Sequence, residues 1–210
     1  MIPYQELKSA VIRNLQIDAT DDDIQRFNIQ GALNSALIRV LNFVPDWLLQ
    51  NAIATIRVPL AKFEQKYQMP DDFIRPVEVW VNFDNPITDS EPGRKVIIYR
   101  KGDSDSFHVN PAAMADKYFP VADFGMEKGM ILYPTPSKTV IGGLRIRYVY
   151  KQPDMGDNQD CLLDLRLKNL LVFWATEIAA STEGYDLALS DKYGKMAEEE
   201  LLGITGGAKK

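Results

Sequence analysis

A chain of 210 residues with a single histidine, His108, and a single cysteine, Cys161, holds few side chains that do chemistry. A Cys–His nucleophile needs the two groups as a working pair, and a zinc site needs several such ligands, so neither chemistry has its raw material. His108 stands in DSDSFHVNP, whose composition is that of a solvated loop. Asp103-Ser104-Asp105 after Gly102 opens like a calcium loop but lacks the later glycine and the closing bidentate glutamate. Asp and Ser at such spacing bond to nearby backbone amides and make turns. Asp71 and Asp72 are neighbours, and neighbours in an extended chain point to opposite faces, which is a poor arrangement for an acid/base pair. After Pro70 they read as caps of a turn. Gly142-Gly143 has no phosphate-binding glycine pattern around it and instead lets the chain bend or a second backbone approach. No catalytic residue, cofactor or metal site is expected, and the chain reads as a non-enzyme.

The charged groups suggest contacts instead. Arg94, Lys95, Arg100 and Lys101 flank a short apolar run at residues 96–99, without the interleaved aromatics of a nucleic-acid stacking platform. They read as a solvated strand end or as a charged contact with an acidic partner subunit. Glu198, Glu199 and Glu200 fall at the C-terminal end of a helical pattern, where the helix dipole disfavours carboxylates. A solvated face, a basic partner surface or an acidic wall facing DNA would each accommodate them. Trp174, in a run apolar nearly all round, and Lys209 and Lys210, in the tail GITGGAKK, complete the candidate partner or oligomer contacts.

These residues need a scaffold, and the composition provides for one. An apolar fraction of 46% and a charged fraction of 25% are those of an ordinary globular chain. A net charge of −5 argues against a surface that grips nucleic acid by neutralising phosphates. One cysteine allows no internal disulfide and suits a reducing compartment. The N-terminus MIPYQELKSA has no signal-peptide pattern and no stretch is apolar enough to span a membrane, so a soluble product made in a cytoplasm is expected.

The ends read helical and the middle reads as sheet. Tyr4, Leu7, Val11 and Leu15 form one helical stripe. Thr20 with Asp21, Asp22 and Asp23 predicts a helix start, with Ile24, Phe27, Leu33, Leu37, Val40 and Leu41 continuing the period until Pro45. Asp46 to Leu49 predicts a short further helix. Strands are predicted over residues 55–60, 63–69, 77–81, 96–99, 118–123, 130–133 and 144–150, with a bulge or sheet edge at Pro59 and a hairpin turn at Glu127-Lys128-Gly129. In the last strand Leu144, Ile146 and Tyr148 face one way, and Arg145, Arg147 and Val149 the other. Leu163, Leu167, Leu170, Leu171, Trp174 and Ile178 predict a long helix buried on more than one side, by its own core or by a neighbouring subunit. A last helix carries Tyr185, Leu189, Tyr193 and Met196. The expected fold is α+β: residues 1–54 and 154–202 form one helical bundle, residues 55–153 an inserted antiparallel β-module, and residues 203–210 a flexible tail.

Several phrases resemble one family in both order and wording. MPDDF at residues 69–73, LYPTPS at 132–137, IRYVYKQP at 146–153 and the leucine-rich LLDLRLKNLLVFWATEIAA that follows are similar to segments of the head-to-tail adaptors, or connectors, of tailed bacteriophages. Met69 departs from the family's usual leucine, and residues 84–93 and 103–116 have no counterpart, which marks them for contacts particular to this virus. The resemblance implies a virion protein at the head–tail interface, assembled in the host cytoplasm. It implies a homo-oligomeric ring of about twelve copies under the portal protein. Such a ring extends the DNA ejection channel without sequence-specific binding, joins tail or nozzle proteins, and contacts no membrane. An acidic chain suits a pore that must not trap DNA, and a Gly-rich basic tail can order on docking. The rival readings are a tail-associated receptor- or glycan-binding β-module, resting on Trp80, Phe83, Tyr99, Tyr118 and Phe119, and a two-carboxylate hydrolase, for which no carboxylate pair is visible. Those aromatics mostly hold alternating strand positions, which reads as core.

Overall fold

A computed structural model describes residues 1–17, 22, 26–99, 111–124, 129–182 and 186–206. The chain divides into two compact units, Met1–Ala52 with Lys151–Lys210, and Ile53–Tyr150.

In the first unit, helix α1 (Tyr4–Leu15) buries Tyr4, Leu7, Val11 and Leu15, the stripe that its spacing predicts. Helix α2 (Ile29–Phe43) starts later than expected. Asn28 takes a left-handed backbone, φ 41°, and its side chain accepts from the Gly31 amide, so an asparagine cap interrupts what the apolar period alone would make continuous. The cap predicted around Thr20, Asp21 and Asp23, and Ile24 after it, lies outside the described residues. Val44 is extended ahead of Pro45, which ends α2, and a 3-10 turn follows at Asp46–Leu48. Asp164 caps the 3-10 turn Leu165–Leu167, which runs into helix α3 (Lys168–Ser181).

Helix α3 buries Leu170, Leu171, Val172, Trp174, Ala175, Thr176, Ala179 and Ala180, and packs against α1, α2 and helix α4 (Leu187–Ile204). Its all-round apolarity is therefore used within its own unit. On α4 the buried residues are Ser190, Tyr193 and Ala197. Leu189 and Met196, which the periodicity placed on the inner stripe, are only half-buried. The small residues win because close approach of α3 favours them, and the Ser190 hydroxyl donates to the Glu177 carbonyl at 3.1 Å. Gly203 and Ile204 belong to α4, while residues 207–210 lie outside the described residues. Ile2 and Cys161, both fully buried, form a two-residue β-bridge, and the Tyr4 amide donates to Asp160 at 2.9 Å, so the start of the chain is tied to the segment before α3.

The second unit holds two four-stranded sheets. One has the order β1 (Ile53–Leu60), β8 (Val140–Tyr150), β3 (Phe73–Val81), β4 (Arg94–Lys95); the other β2 (Lys66–Gln68), β7 (Gly129–Tyr133), β6 (Val121–Asp123), β5 (Ile97–Tyr99). Leu60, Val79, Val81, Leu144, Ile146 and Tyr148 from the first share a core with Tyr67, Met69, Ala122, Met130 and Leu132 from around the second. Burying each of the larger aliphatic side chains contributes about 1.5–3 kcal/mol. Pairing is antiparallel except between β5 and β6, which are parallel and so depart from the antiparallel module expected. The intervening residues 100–120 are a connection of the length a parallel crossover requires.

Of three local readings, one holds and two change. The bulge expected at Pro59 is present as a register shift between Val58 and Leu60, on an edge strand. Val77, placed with Val79 and Val81 by strict alternation, is only half-buried, because a register shift between Pro76 and Glu78 interrupts the period. Of the strand expected at residues 63–69 only Lys66–Gln68 forms. Phe63 is left-handed, φ 66°, and its amide donates to the Pro136 carbonyl at 2.9 Å. The turn expected at Glu127 and Lys128 lies outside the described residues.

Gly142 and Gly143 serve both purposes that the sequence suggests. Gly142 has φ +69°, and a β-carbon on Gly143 would stand 2.9 Å from the Asn82 carbonyl oxygen. Asn82 and Ile87 donate their amides to Gly143 and Gly142 respectively, which pins the loop after β3 to the start of β8. Gly143→Ala is therefore expected to cost about 1–3 kcal/mol, because the opposing atom is backbone. Gly142→Ala, with open space around it, should cost about 1–2 kcal/mol through its left-handed backbone alone. Urea unfolding midpoints measure both, and an unchanged midpoint for Gly143→Ala would refute the close-approach role.

Candidate functional site

Successive residues of a strand face opposite ways, and this separates Arg94 from Lys95. Lys95 pairs with Trp80 across the ladder and sends its ammonium to Glu78 Oε1 at 3.0 Å. Arg94 turns the other way, with its guanidinium 4.9 Å from the centre of the Tyr118 ring. The two cations therefore do not act as one patch, and Arg100 and Lys101 lie outside the described residues.

Arg94 borders a cleft of about 560 Å³, whose lining includes Asn82, Asp84, Glu91, Lys117 and Tyr118. Asp84 receives Lys117 at 2.6 Å and Lys138 at 3.3 Å. The hydrogen bond from Lys117, and then that from Lys138, hold its carboxyl below the usual range. Asn82 Oδ1 accepts the amides of both Asp84 and Asn85, and the Asn85 side chain donates to Glu91 at 2.9 Å. The loop at residues 84–93, unmatched in the family pattern, is thus braced by its own side chains. Beside it Tyr118 and Phe119 are 62% and 64% exposed, against the expectation that they are core. Their segment is a turn in which Asp116 accepts both of their amides, and β6 begins only at Val121. Trp80 lies on a sheet face and Tyr99 in β5, so the aromatics invoked for glycan binding do not form a single platform.

The outer face of the β1-β8-β3-β4 sheet gathers residues that the sequence reading did not combine. In one cross-strand row stand Arg57, Arg145, Trp80 and Lys95; in the next, Thr55, Arg147 and Glu78. Glu78 accepts from Lys95 at 3.0 Å and from Arg147 at 2.8 Å, and Arg145 lies over the Trp80 ring at 5.4 Å. The Lys95 bond is the main cause that holds the Glu78 carboxyl low; partial burial opposes it, and the Arg147 bond adds to it. The alternation Arg145-x-Arg147 was visible in the sequence, but strand order and register, which bring Arg57 and Lys95 alongside, were not.

In the helical unit Trp174 is only 3% exposed. Arg39 lies over its ring at 4.8 Å, bonded in turn to Glu177 at 2.9 Å, and the Phe43 ring is 6.5 Å away. A residue so enclosed is a core residue of its own unit, and the exposed Phe43 beside it was missed because it stands at the last position of α2, off the buried stripe. Glu198 and Glu199 are exposed and Glu200 half-exposed, with no ion pair to any of them among the described residues. Lys209 and Lys210 lie outside the described residues, as do His108 and Asp103-Ser104-Asp105. Asp72 accepts from the Tyr148 hydroxyl at 3.1 Å, and burial, reinforced by that carboxylate, pushes the Tyr148 phenol up to about 12. Among the described residues no group of three or more His, Cys, Asp or Glu could hold a metal ion, and no helix is long and apolar enough to cross a membrane.

The profile of one family, described as SU10 adaptor protein, matches residues 2–207. No curated protein matches the chain.

A lowered folded-state pKa at Glu78 makes its contribution present above the ordinary glutamate value of 4.5 and lost as pH falls through the folded value. Glu78→Gln should therefore lower the melting temperature at neutral pH, and the gap to wild type should narrow as pH drops below 4.5. Thermal unfolding across a pH series checks this; a gap independent of pH would remove the role assigned to the Lys95–Glu78–Arg147 cluster.

Proposed function

Because the chain belongs to the SU10 adaptor protein family, phage structural adaptors, we propose that it is the head-to-tail adaptor of its virion, docking under the portal, extending the DNA channel and connecting capsid to tail. The observation that carries this reading is a family match over residues 2–207, both units included. It agrees with the order of the MPDDF, LYPTPS and IRYVYKQP phrases along the chain.

In this reading the protein has no catalytic activity, and about twelve copies form a ring by repeating one heterologous contact. The two chain ends make a helical bundle into which the β-module is inserted. Assembly takes place in the host cytoplasm, with the portal on one side and tail or nozzle proteins on the other. The braced loop around Asp84, with the exposed Tyr118 and Phe119 beside it, supports a role in partner contact, since such exposed aromatics are enriched at interfaces. DNA passes through the channel without being read.

Purified protein mixed with purified portal particles should yield complexes carrying an added ring at one end of the portal, visible by negative-stain microscopy and by co-sedimentation. Absence of any complex in both measurements would overturn the adaptor reading.

A further inference from the structure

In a chain of net charge −5, the outer face of the β1-β8-β3-β4 sheet carries the cations Arg57, Arg75, Arg145, Arg147 and Lys95, and the carboxylate Glu78. Glu78 is already shared by Lys95 and Arg147. Arg57, exposed on the edge strand β1, and Arg145, stacked on Trp80, make no ion pair among the described residues. The face thus presents unspent guanidinium groups around an indole, a combination suited to carboxylates flanking an apolar side chain.

The same chain carries the opposite combination. Glu198 and Glu199 are exposed on the last turns of α4, at the end of the helix where the dipole disfavours them, and no basic residue stands in that last turn. Leu202, 60% exposed, follows them at spacings of three and four, so the three share one helix face. A leucine between two unpaired carboxylates faces solvent on α4; a tryptophan among arginines faces out on the sheet.

We propose that the outer face of the β1-β8-β3-β4 sheet docks the Glu198–Glu199–Leu202 face of α4 from a second copy of this chain. The two surfaces differ, so the contact is heterologous: each copy offers one of each, and repetition builds a ring or an open row. Arg57 and Arg145 take the carboxylates, Leu202 covers Trp80, and the dipole penalty at the end of α4 is relieved by the cations. The inference rests on the adaptor reading for the premise that copies meet, and it names the surfaces by which they do so.

The test uses the full chain, alone at high concentration and on portal particles, with self-association followed by sedimentation velocity across a salt series. Wild type should associate, more weakly as salt rises. Arg57→Glu, and separately Glu198→Lys with Glu199→Lys, should each weaken association about tenfold, as expected for close charge pairs at an interface. Combining the three substitutions in one chain should restore it, since the charges are exchanged. All three positions are exposed, and circular dichroism with melting curves establishes that each variant folds.

Portal rings that form normally with either set of substitutions would overturn this contact while leaving the adaptor reading intact. Wild type that stays monomeric both alone and with portal particles would overturn both. If Arg57→Glu weakens attachment to the portal or to a double-stranded DNA fragment, and the exchanged-charge variant is not rescued, the face serves another acidic partner or a polyanion and the proposal fails.

Discussion

Strand β8 is the constraint on which the second unit depends. It pairs with β1 on one side and β3 on the other, so its eleven residues Val140–Tyr150 set the register of the whole first sheet. Because a strand alternates its side chains, that register fixes both faces at once. Leu144, Ile146 and Tyr148 go to the core between the sheets, and Arg145 and Arg147 go outward with Trp80, Arg57, Lys95 and Glu78. A slip of one residue would exchange leucine for arginine in the core. Gly142 and Gly143 resist such a slip from one end, through their backbone bonds to Ile87 and Asn82, and the Tyr148–Asp72 bond resists it from the other.

Helix α3 has a similar position in the first unit. Its buried residues lie around much of its circumference, and α1, α2 and α4 each take a part of that surface. Thr176 shows how the polar groups are accommodated: its hydroxyl donates to the Val172 carbonyl and accepts from Asn14, so a fully buried hydroxyl is satisfied within the helix pair. The Ile2–Cys161 bridge and the Glu6–Lys168 ion pair then close the two ends of the chain on each other. Cys161 is buried beside that bridge, and desolvation pushes its thiol up, so it is a packing residue with little thiolate.

Charge is sorted by the fold in a way the net value conceals. The chain is acidic overall, yet one sheet face is basic and the end of one helix carries unpaired carboxylates. Inside the β-unit the cations are held in fixed geometry, Arg145 over Trp80, Arg94 over Tyr118, Lys117 and Lys138 on Asp84, where a flexible solvated side chain would lose more entropy on binding. In the proposed adaptor role the protein acts through surfaces of this kind, and their composition carries its specificity.

Local patterns in the sequence determined the elements that depend only on neighbours: the Tyr4–Leu7–Val11–Leu15 stripe, the stop at Pro45, the bulge at Pro59, the alternation from Leu144 to Tyr148, and the family phrases that identify an adaptor. It also marked Glu198 and Glu199 as carboxylates at the wrong end of a helix. Tertiary structure decided what depends on residues distant in the chain. The parallel pairing of β5 with β6, the use of Ser190 and Ala197 in place of Leu189 and Met196, the exposure of Tyr118 and Phe119, and the meeting of Arg57, Trp80, Lys95 and Arg145 are all of this kind. The physical reason is that periodicity gives the direction in which a side chain points relative to its neighbours, whereas strand order and register determine which side chains it meets there.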